Sequence, residues 1–469
     1  MPLVFTARRE HSRALERLVL AASLCAGLAA GAVPAAVSVP DSAAGEEDAT
    51  AEETATAKGF RRHFHWEMAS HPRLRIGELV RLDFRFQFRH DFRSFDPEIS
   101  GQQGETCNLS GFRFAVEGRV TQDFEFEIER ETKNEAAEWL RLSTNETHAT
   151  WRDVFGNFRH YRRLQFRFGQ FKIPFGMDQQ QGPAHRDFVF RSLIGQFLAP
   201  GRDLGGMLHG RVFEHRVQYE VGLFAGDGWR AHLKDYSRSG ERAIAGRLAA
   251  APLEFVAIPR FLKPLRGTEL GIAVVQNPIT EGLRSLRGRT WVDTHNYFDR
   301  INVRGHRLRL GTELNFANGP FSVKGEIIRV SDQRLGQGLR GQDLPDLISR
   351  GWYLAGTWLL TGEKKVNVIK PKRDFITGRG LGAVEFAARY EQIRFGSAEH
   401  PGLPSRSSRA ANIYSESERV ATFGVNWFLN RFMRIQYNAI REVIEDVQNA
   451  PIPGVGTYWS RYVRMQFVL

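Results

Sequence analysis

The sequence predicts an all-β fold, an up-and-down antiparallel transmembrane β-barrel. Three observations carry this. Segments throughout the chain alternate apolar and charged residues with period two; their connections alternate between tight and long; and the N-terminus has the pattern of an export signal. The composition agrees. The 469 residues hold 65 Lys+Arg against 53 Asp+Glu, a net +12, with 35 Phe and two Cys. A mean hydropathy of −0.37 excludes a bundle of membrane helices, which needs repeated apolar runs of about 20 residues. Two cysteines exclude a disulfide framework and a Cys-based zinc site. Of the 65 basic residues only 10 are lysine, so the charge is mostly arginine.

Residues 1–40 read as a signal peptide. Arg8, Arg9, Arg13 and Arg17 precede an apolar stretch from Leu18 to Val39, and small residues place cleavage between Ala32 and Ala44. Residues 41–58, DSAAGEEDATAEETATAK, carry six acids and one lysine without apolar periodicity, the composition of a solvated linker. Residues 59–469 remain as the barrel domain, with a net charge of +15.

From Leu82 the chain reads LDFRFQFRHDF, with Leu82, Phe84, Phe86 and Phe88 on one face and Asp83, Arg85, Gln87 and Arg89 on the other. Phe112, Phe114 and Val116 oppose Arg113, Ala115 and Glu117; Phe124, Phe126 and Ile128 oppose Glu125, Glu127 and Glu129. The pattern returns at Leu164–Gly169, Arg307–Leu314, Phe321–Ile327, Val384–Glu391 and Tyr462–Leu469. Ala317–Pro320 and Leu429–Phe432 read as tight turns, and Arg93–Leu109, Glu131–Thr147 and Gly396–Ser417 as long loops. Trp352, Trp358, Trp427, Tyr437 and Trp459 suit interfacial girdles. The terminal strand, ending on Leu469, resembles the closing strand of outer-membrane barrels that the barrel-assembly machinery reads; that strand usually finishes in Phe, and here Phe467 stands two residues back.

Several stretches in order along residues 72–469 resemble the phosphate-selective porin O and P family: Phe168-Gly169-Gln170-Phe171-Lys172-Ile173-Pro174-Phe175-Gly176, Ala199–Gly205, Tyr219–Gly228, Trp358–Glu363, Glu385–Tyr390, Phe423–Asn430 and Arg464–Gln466. The resemblance implies sixteen strands, a homotrimer in outer-membrane lipid, passage of small anions, and a long inward-folded loop that narrows the pore. That loop would run from Phe171 or Lys172 to about Arg202. Its Pro174, Gly176, Gly182, Pro183, Pro200 and Gly201 break regular pairing, and it supplies Lys172, Arg186, Arg191 and Arg202 against Asp178, Asp187 and Asp203.

Alternation places Arg85, Arg89, Arg113, Arg119, Arg167, Arg307, Arg309, Lys324, Arg389, Arg434 and Arg464 on the polar, water-facing side, with Gln436 and Asn438. Arginine suits anion passage because its planar fork pairs bidentately with phosphate or carboxylate and holds its charge at any working pH. Glu125, Glu127, Glu129, Glu313, Glu326, Glu385 and Glu391 share that side, so wall pairing competes with free charge. The expected function is a passive outer-membrane channel favouring anions, phosphate or polyphosphate among them. A barrel enzyme, or a receptor or adhesin using its loops, is the alternative.

No cofactor, metal or nucleic-acid partner is expected. Gly336–Gly341 fits G-x-G-x-x-G but is followed by Asp343-Leu344-Pro345-Asp346 rather than a helix. His63-x-His65 and His90-Asp91 lack a third ligand, and no nucleophile motif accompanies them.

Overall fold

Backbone N–H and C=O groups in hydrocarbon find no water, so a membrane-spanning sheet must close on itself. The computed structural model shows this closure. It describes residues 64–68, 71–96, 105–134, 150–226, 228, 242–279, 286–291, 295–338, 340–375, 378–397 and 416–469. The expected signal peptide and acidic linker lie outside these residues.

The strands are β1 (Phe64–Met68), β2 (Pro72–Ile76), β3 (Val80–Asp96), β4 (Glu105–Val120), β5 (Phe124–Asn134), β6 (Thr150–Tyr161), β7 (Leu164–Lys172), β8 (Arg202–Val212), β9 (Val217–Phe224) and β10 (Ala243–Ala250). They continue as β11 (Glu269–Ile279), β12 (Gly288–Arg289), β13 (Asn296–Phe298), β14 (Gly305–Asn318), β15 (Phe321–Arg334), β16 (Leu344–Leu359), β17 (Ala383–Ser397), β18 (Glu416–Phe428), β19 (Met433–Ile444) and β20 (Thr457–Val468). Each strand from β3 to β11 pairs antiparallel with the next, β11 pairs with β14, and the series runs on to β20. β20 then pairs with β3, from Trp459 opposite Asp96 to Val468 opposite Gln87, closing sixteen strands. Phe86 and Leu469 complete the seam by exchanging two backbone hydrogen bonds of 2.8 Å. Below it, the β1–β2 hairpin covers the start of β3, with Ile76 opposite Val80. β12 and β13 form a separate two-stranded piece in the β11–β14 connection.

Alternation gives the barrel its two faces. On β17, Phe386, Ala388 and Tyr390 face outward while Glu385, Ala387, Arg389 and Glu391 are buried within. Ile327, Phe423 and Ile272 are about 60% exposed, so the outer face is apolar and uncovered. β14 and β15 meet at the expected tight turn, where Gly319 takes a φ of 56° that a side chain would strain. β18 and β19 meet across 429–432, again as expected. Although 251–268 and 360–382 join strands at the short-turn end, most long connections lie at the opposite end. Pairing continues past the apolar band there: β3 reaches Asp96 and β4 begins at Glu105, so the expected loop Arg93–Leu109 shrinks to 97–104. Ladder bonds persist wherever a neighbouring strand supplies partners, whatever the side chains do.

The seam rests on the last residues of the chain. Deleting 465–469 removes the pairing of Met465 to Val468 with β3 and the Leu469–Phe86 bonds. The truncated protein should lose the compact, heat-modifiable band on unboiled gels; a fully retained band would show that closure does not need this end.

Candidate functional site

The segment between β7 and β8, residues 173–201, is built from short pieces because Pro and Gly interrupt it. It contains α1 (Met177–Gln180) after Gly176 at φ 75°, a 3-10 turn at Pro183–His185, and α2 (Leu193–Phe197). Ser192 caps α2 by accepting from Gly195 N at 3.1 Å. Ile173, Phe175, Phe188, Val189, Leu193 and Ile194 are buried and join one core with inward side chains of the far wall, including Ile328 and Val330 on β15, Ala387 on β17, Val420 on β18 and Ile440 on β19.

Wall side chains also fix the segment's backbone. Glu326 accepts from Met177 N (2.6 Å) and Asp178 N (2.9 Å), and Tyr353 Oη donates to it at 2.8 Å. Glu391 accepts from Leu193 N at 2.5 Å, and Asn438 Oδ1 from Val189 N at 2.8 Å. Asn426 Nδ2 donates to Asp187 O at 2.9 Å. Four of the arginines expected on the inner wall donate to segment carbonyls: Arg309 to Leu198 O, Arg389 to Phe190 O and Arg191 O, Arg434 to Arg186 O, and Arg464 to Val189 O. Bonded to inward side chains on β14, β15 and β17 to β20, the segment lies inside the barrel against that wall.

Most inward arginines have carboxylate partners. Arg85 contacts Glu127 (2.5 Å) and Glu117 (2.8 Å); Arg119 contacts Glu125 at 3.0 Å. Arg89, Arg113 and Arg152 converge on Glu131, which is 1% exposed, and Arg113 also reaches Glu129 at 2.9 Å. Arg307 pairs with Asp332, Arg464 with Asp91, Arg389 with Glu391, and Arg202 with Asp153. Arg167 differs: its guanidinium stands over the rings of Phe155 (4.4 Å) and Phe171 (5.6 Å).

Three cations near the segment also differ. Lys172 Nζ donates to the carbonyls of Gln180 (2.7 Å) and Gln181 (3.3 Å), and Arg191 Nη2 to Gln181 O at 3.1 Å. Arg186 is buried with no hydrogen bond from its side chain among the described residues. None of the three meets a carboxylate at ion-pair distance among those residues. Burial brings the Arg191 guanidinium down to about 10, against the pull of Asp178 and with the push of Arg202, Arg113 and Arg152. It remains a cation at neutral pH. Burial also lowers Arg186, with Arg191, Arg464 and Arg89 adding to the effect. The four expected constriction residues thus divide into Arg202, paired with a carboxylate, and Lys172, Arg186 and Arg191, which meet none among the described residues.

Asp187 fastens the tip of the segment. It accepts from Lys324 Nζ at 2.7 Å and from Lys365 Nζ at 2.6 Å, and Lys365 also contacts Glu385. Although burial opposes its charge, the two ammonium groups hold the Asp187 carboxyl well below the usual range. Burial opposes the charge of Lys365 too, and Asp187 and Glu385 outweigh it, leaving its pKa raised. Lys365 belongs to the β16–β17 connection, residues 360–382, at the short-turn end, so alternation could not point to it. The available signal was compositional: four of the ten lysines fall within Lys364–Lys372. Arg152 was also missed, because the register irregularity between β5 and β6 disrupts the parity that would have assigned it. His90 sits between Phe88 and Phe92, ring centroids 6.5 and 5.1 Å away, and Cys107 is a free, exposed thiol.

A closed sixteen-stranded barrel, apolar outside and charged inside, with a long segment folded against its inner wall, defines the porin class of outer-membrane channels. The chain belongs to one family of them: residues 80–469 match the family model of phosphate-selective porin O and P. Among solved structures, it is similar to the loop L8 deletion mutant of OmpT, an outer membrane protein of Vibrio cholerae, with TM-score 0.51 and 10% identity over 83% of this chain and all of that one. It is similar to the same degree, over the same shares, to an anion-selective porin from Comamonas acidovorans. At such identity the likeness shows the barrel fold. Among curated protein sequences none matches.

Replacing Lys365 by Met leaves Glu385 with the hydrogen bond from Asn426 Nδ2 (2.8 Å) but no cation, and half-releases Asp187. Breaking a buried pair on one side costs about 3 kcal/mol. Single-channel recordings of K365M should show a larger and noisier conductance than wild type, and K364M, at an exposed neighbour, should not. Identical traces for both variants would mean that Lys365 does not hold the segment.

Proposed function

We propose that this channel passes small hydrophilic solutes passively and favours anions, and that segment 173–201 forms its constriction. One observation carries the reading: most wall arginines are balanced by acids, Arg167 and Arg434 excepted, whereas on and beside the segment Lys172, Arg186 and Arg191 bond to carbonyls or to nothing among the described residues. Paired charges contribute little net field. Unbalanced cations in a narrow, low-dielectric passage raise the local anion concentration without a tight site. The balanced wall supports a general anion preference over one restricted to phosphate or polyphosphate. Residues 1–40 serve as the export signal, the terminal strand as the signal for the barrel-assembly machinery, and the assembly is a homotrimer in outer-membrane lipid, as the family resemblance implies.

The test is a reversal potential in a salt gradient for K172A and R191A. Each should lower the chloride-to-potassium permeability ratio, by about threefold for the pair combined, whereas R202A, which also frees Asp153, should act through that carboxylate. Unchanged selectivity in both K172A and R191A would place these cations outside the ion path.

A further inference from the structure

Alternation puts arginine on the outward face as well, in one region. Arg329 on β15, Arg350 on β16, Arg394 on β17, Arg419 on β18, Arg441 on β19 and Arg461 on β20 all point away from the lumen and are exposed, one on each of six consecutive strands. The register aligns them. Arg329 is opposite Arg350, and Arg350 opposite Arg394. From there each arginine steps two residues toward the short-turn end: Arg419 lies opposite Gln392, Arg441 opposite Ala421, and Arg461 opposite Ala439. Strands tilted by about 40° require such a drift, roughly one residue per strand, for a row to stay level. The row therefore runs parallel to the membrane plane.

Its height is equally specific. Each arginine lies about seven to eleven residues from the short-turn end of its strand, the length that crosses a hydrocarbon core about 25 Å thick. In that interval the outward residues are apolar, aromatic or glycine apart from Gln392, with Ile327, Leu354, Phe386 and Phe423 as examples. Trp352 and Tyr390, ring centroids 5.8 Å apart, stand just below the row. Short turns mark the periplasmic end of such barrels, so the row sits at the headgroups of the outer leaflet. Glu445 stands 3.8 Å from Arg394, and Asp96 and Asp346 share the outward face just above the row; among the described residues Arg329, Arg350, Arg419, Arg441 and Arg461 make no hydrogen bond or ion pair.

We propose that this row is a docking surface for the headgroup of an anionic outer-leaflet lipid bearing more than one phosphate. Guanidinium forks pair bidentately with phosphate, and aromatic rings directly beneath accept the boundary between headgroup and acyl chain. With strands about 4.8 Å apart and tilted by about 40°, the level row of six guanidinium groups spans roughly 30 Å, which suits a bisphosphorylated glycolipid better than a single phosphodiester. The surface lies on the outer face of β15 to β20, whereas the pore cations line the interior, so it does not depend on the anion reading of the channel.

The test uses the purified full chain in neutral detergent micelles doped with diphosphoryl lipid A, monophosphoryl lipid A, phosphatidylglycerol or phosphatidylcholine, following the thermal midpoint as lipid is titrated. Wild type should be stabilised most tightly by diphosphoryl lipid A and not by phosphatidylcholine. The triple variant R350Q/R394Q/R419Q should need about a hundredfold more lipid A, at about fivefold for each arginine facing an anionic surface. The triple lysine variant should keep most of the binding, and single-channel conductance should match wild type in both. Equal lipid A binding by the glutamine variant, or phosphatidylglycerol binding as tight as lipid A, would overturn the proposal. So would loss of the oligomer in lipid-free detergent by the glutamine variant alone, which would assign the row to contact between copies.

Discussion

Closure of the hydrogen-bond ladder is the constraint on which the rest depends. A sheet in hydrocarbon cannot leave an edge, so β20 must find β3, and the last residue of the chain bonds to Phe86. Once the sheet is closed, side-chain parity has a fixed meaning: one face meets lipid and the other encloses a lumen. Sequence neighbours such as Arg85 and Phe86, or Arg113 and Phe114, are thereby sent to opposite sides of one wall.

The enclosed face then has a charge problem, because arginines brought into a confined space raise one another's energy unless compensated. Glu131 shows the solution, a single buried carboxylate shared by Arg89, Arg113 and Arg152. The wall from β14 to β20 uses its polar groups differently. There arginines, Asn426, Asn438, Glu326 and Glu391 serve the backbone of segment 173–201, while apolar side chains of segment and wall fill the space between. One side of the barrel is thus occupied by packed chain, and the charged ladders of β3 to β8 face the other. Lys172, Arg186, Arg191 and Arg434, on or beside the segment, meet no carboxylate among the described residues, and neither does Arg167 on β7.

How much of this was legible in the sequence follows from periodicity. Strands such as Leu82–Phe92 and Val384–Glu391 were readable because strict alternation survives any register, and the turns at 317–320 and 429–432 because Gly, Asn and Pro punctuate them. The inward direction of Arg309, Arg389, Arg434 and Arg464 was readable too, but their bonds to segment carbonyls were not, since parity gives a direction and never a partner. Lys365 escaped because it lies in a connection, where parity has no meaning. The outward arginines escaped for another reason: each is a single charge on an otherwise apolar face, and only the register reveals that six of them stand level.

The central claim is that an inner wall of balanced charge leaves the net field of the lumen to a few uncompensated cations. The most direct measurement is the zero-current potential of the purified wild-type channel in a planar bilayer across a tenfold potassium chloride gradient. The account predicts a potential displaced toward the chloride equilibrium value, with the displacement shrinking at high salt as the cations are screened. A potential displaced toward the potassium value would contradict it, because the buried acids of the wall, rather than Lys172, Arg186 and Arg191, would then dominate the field.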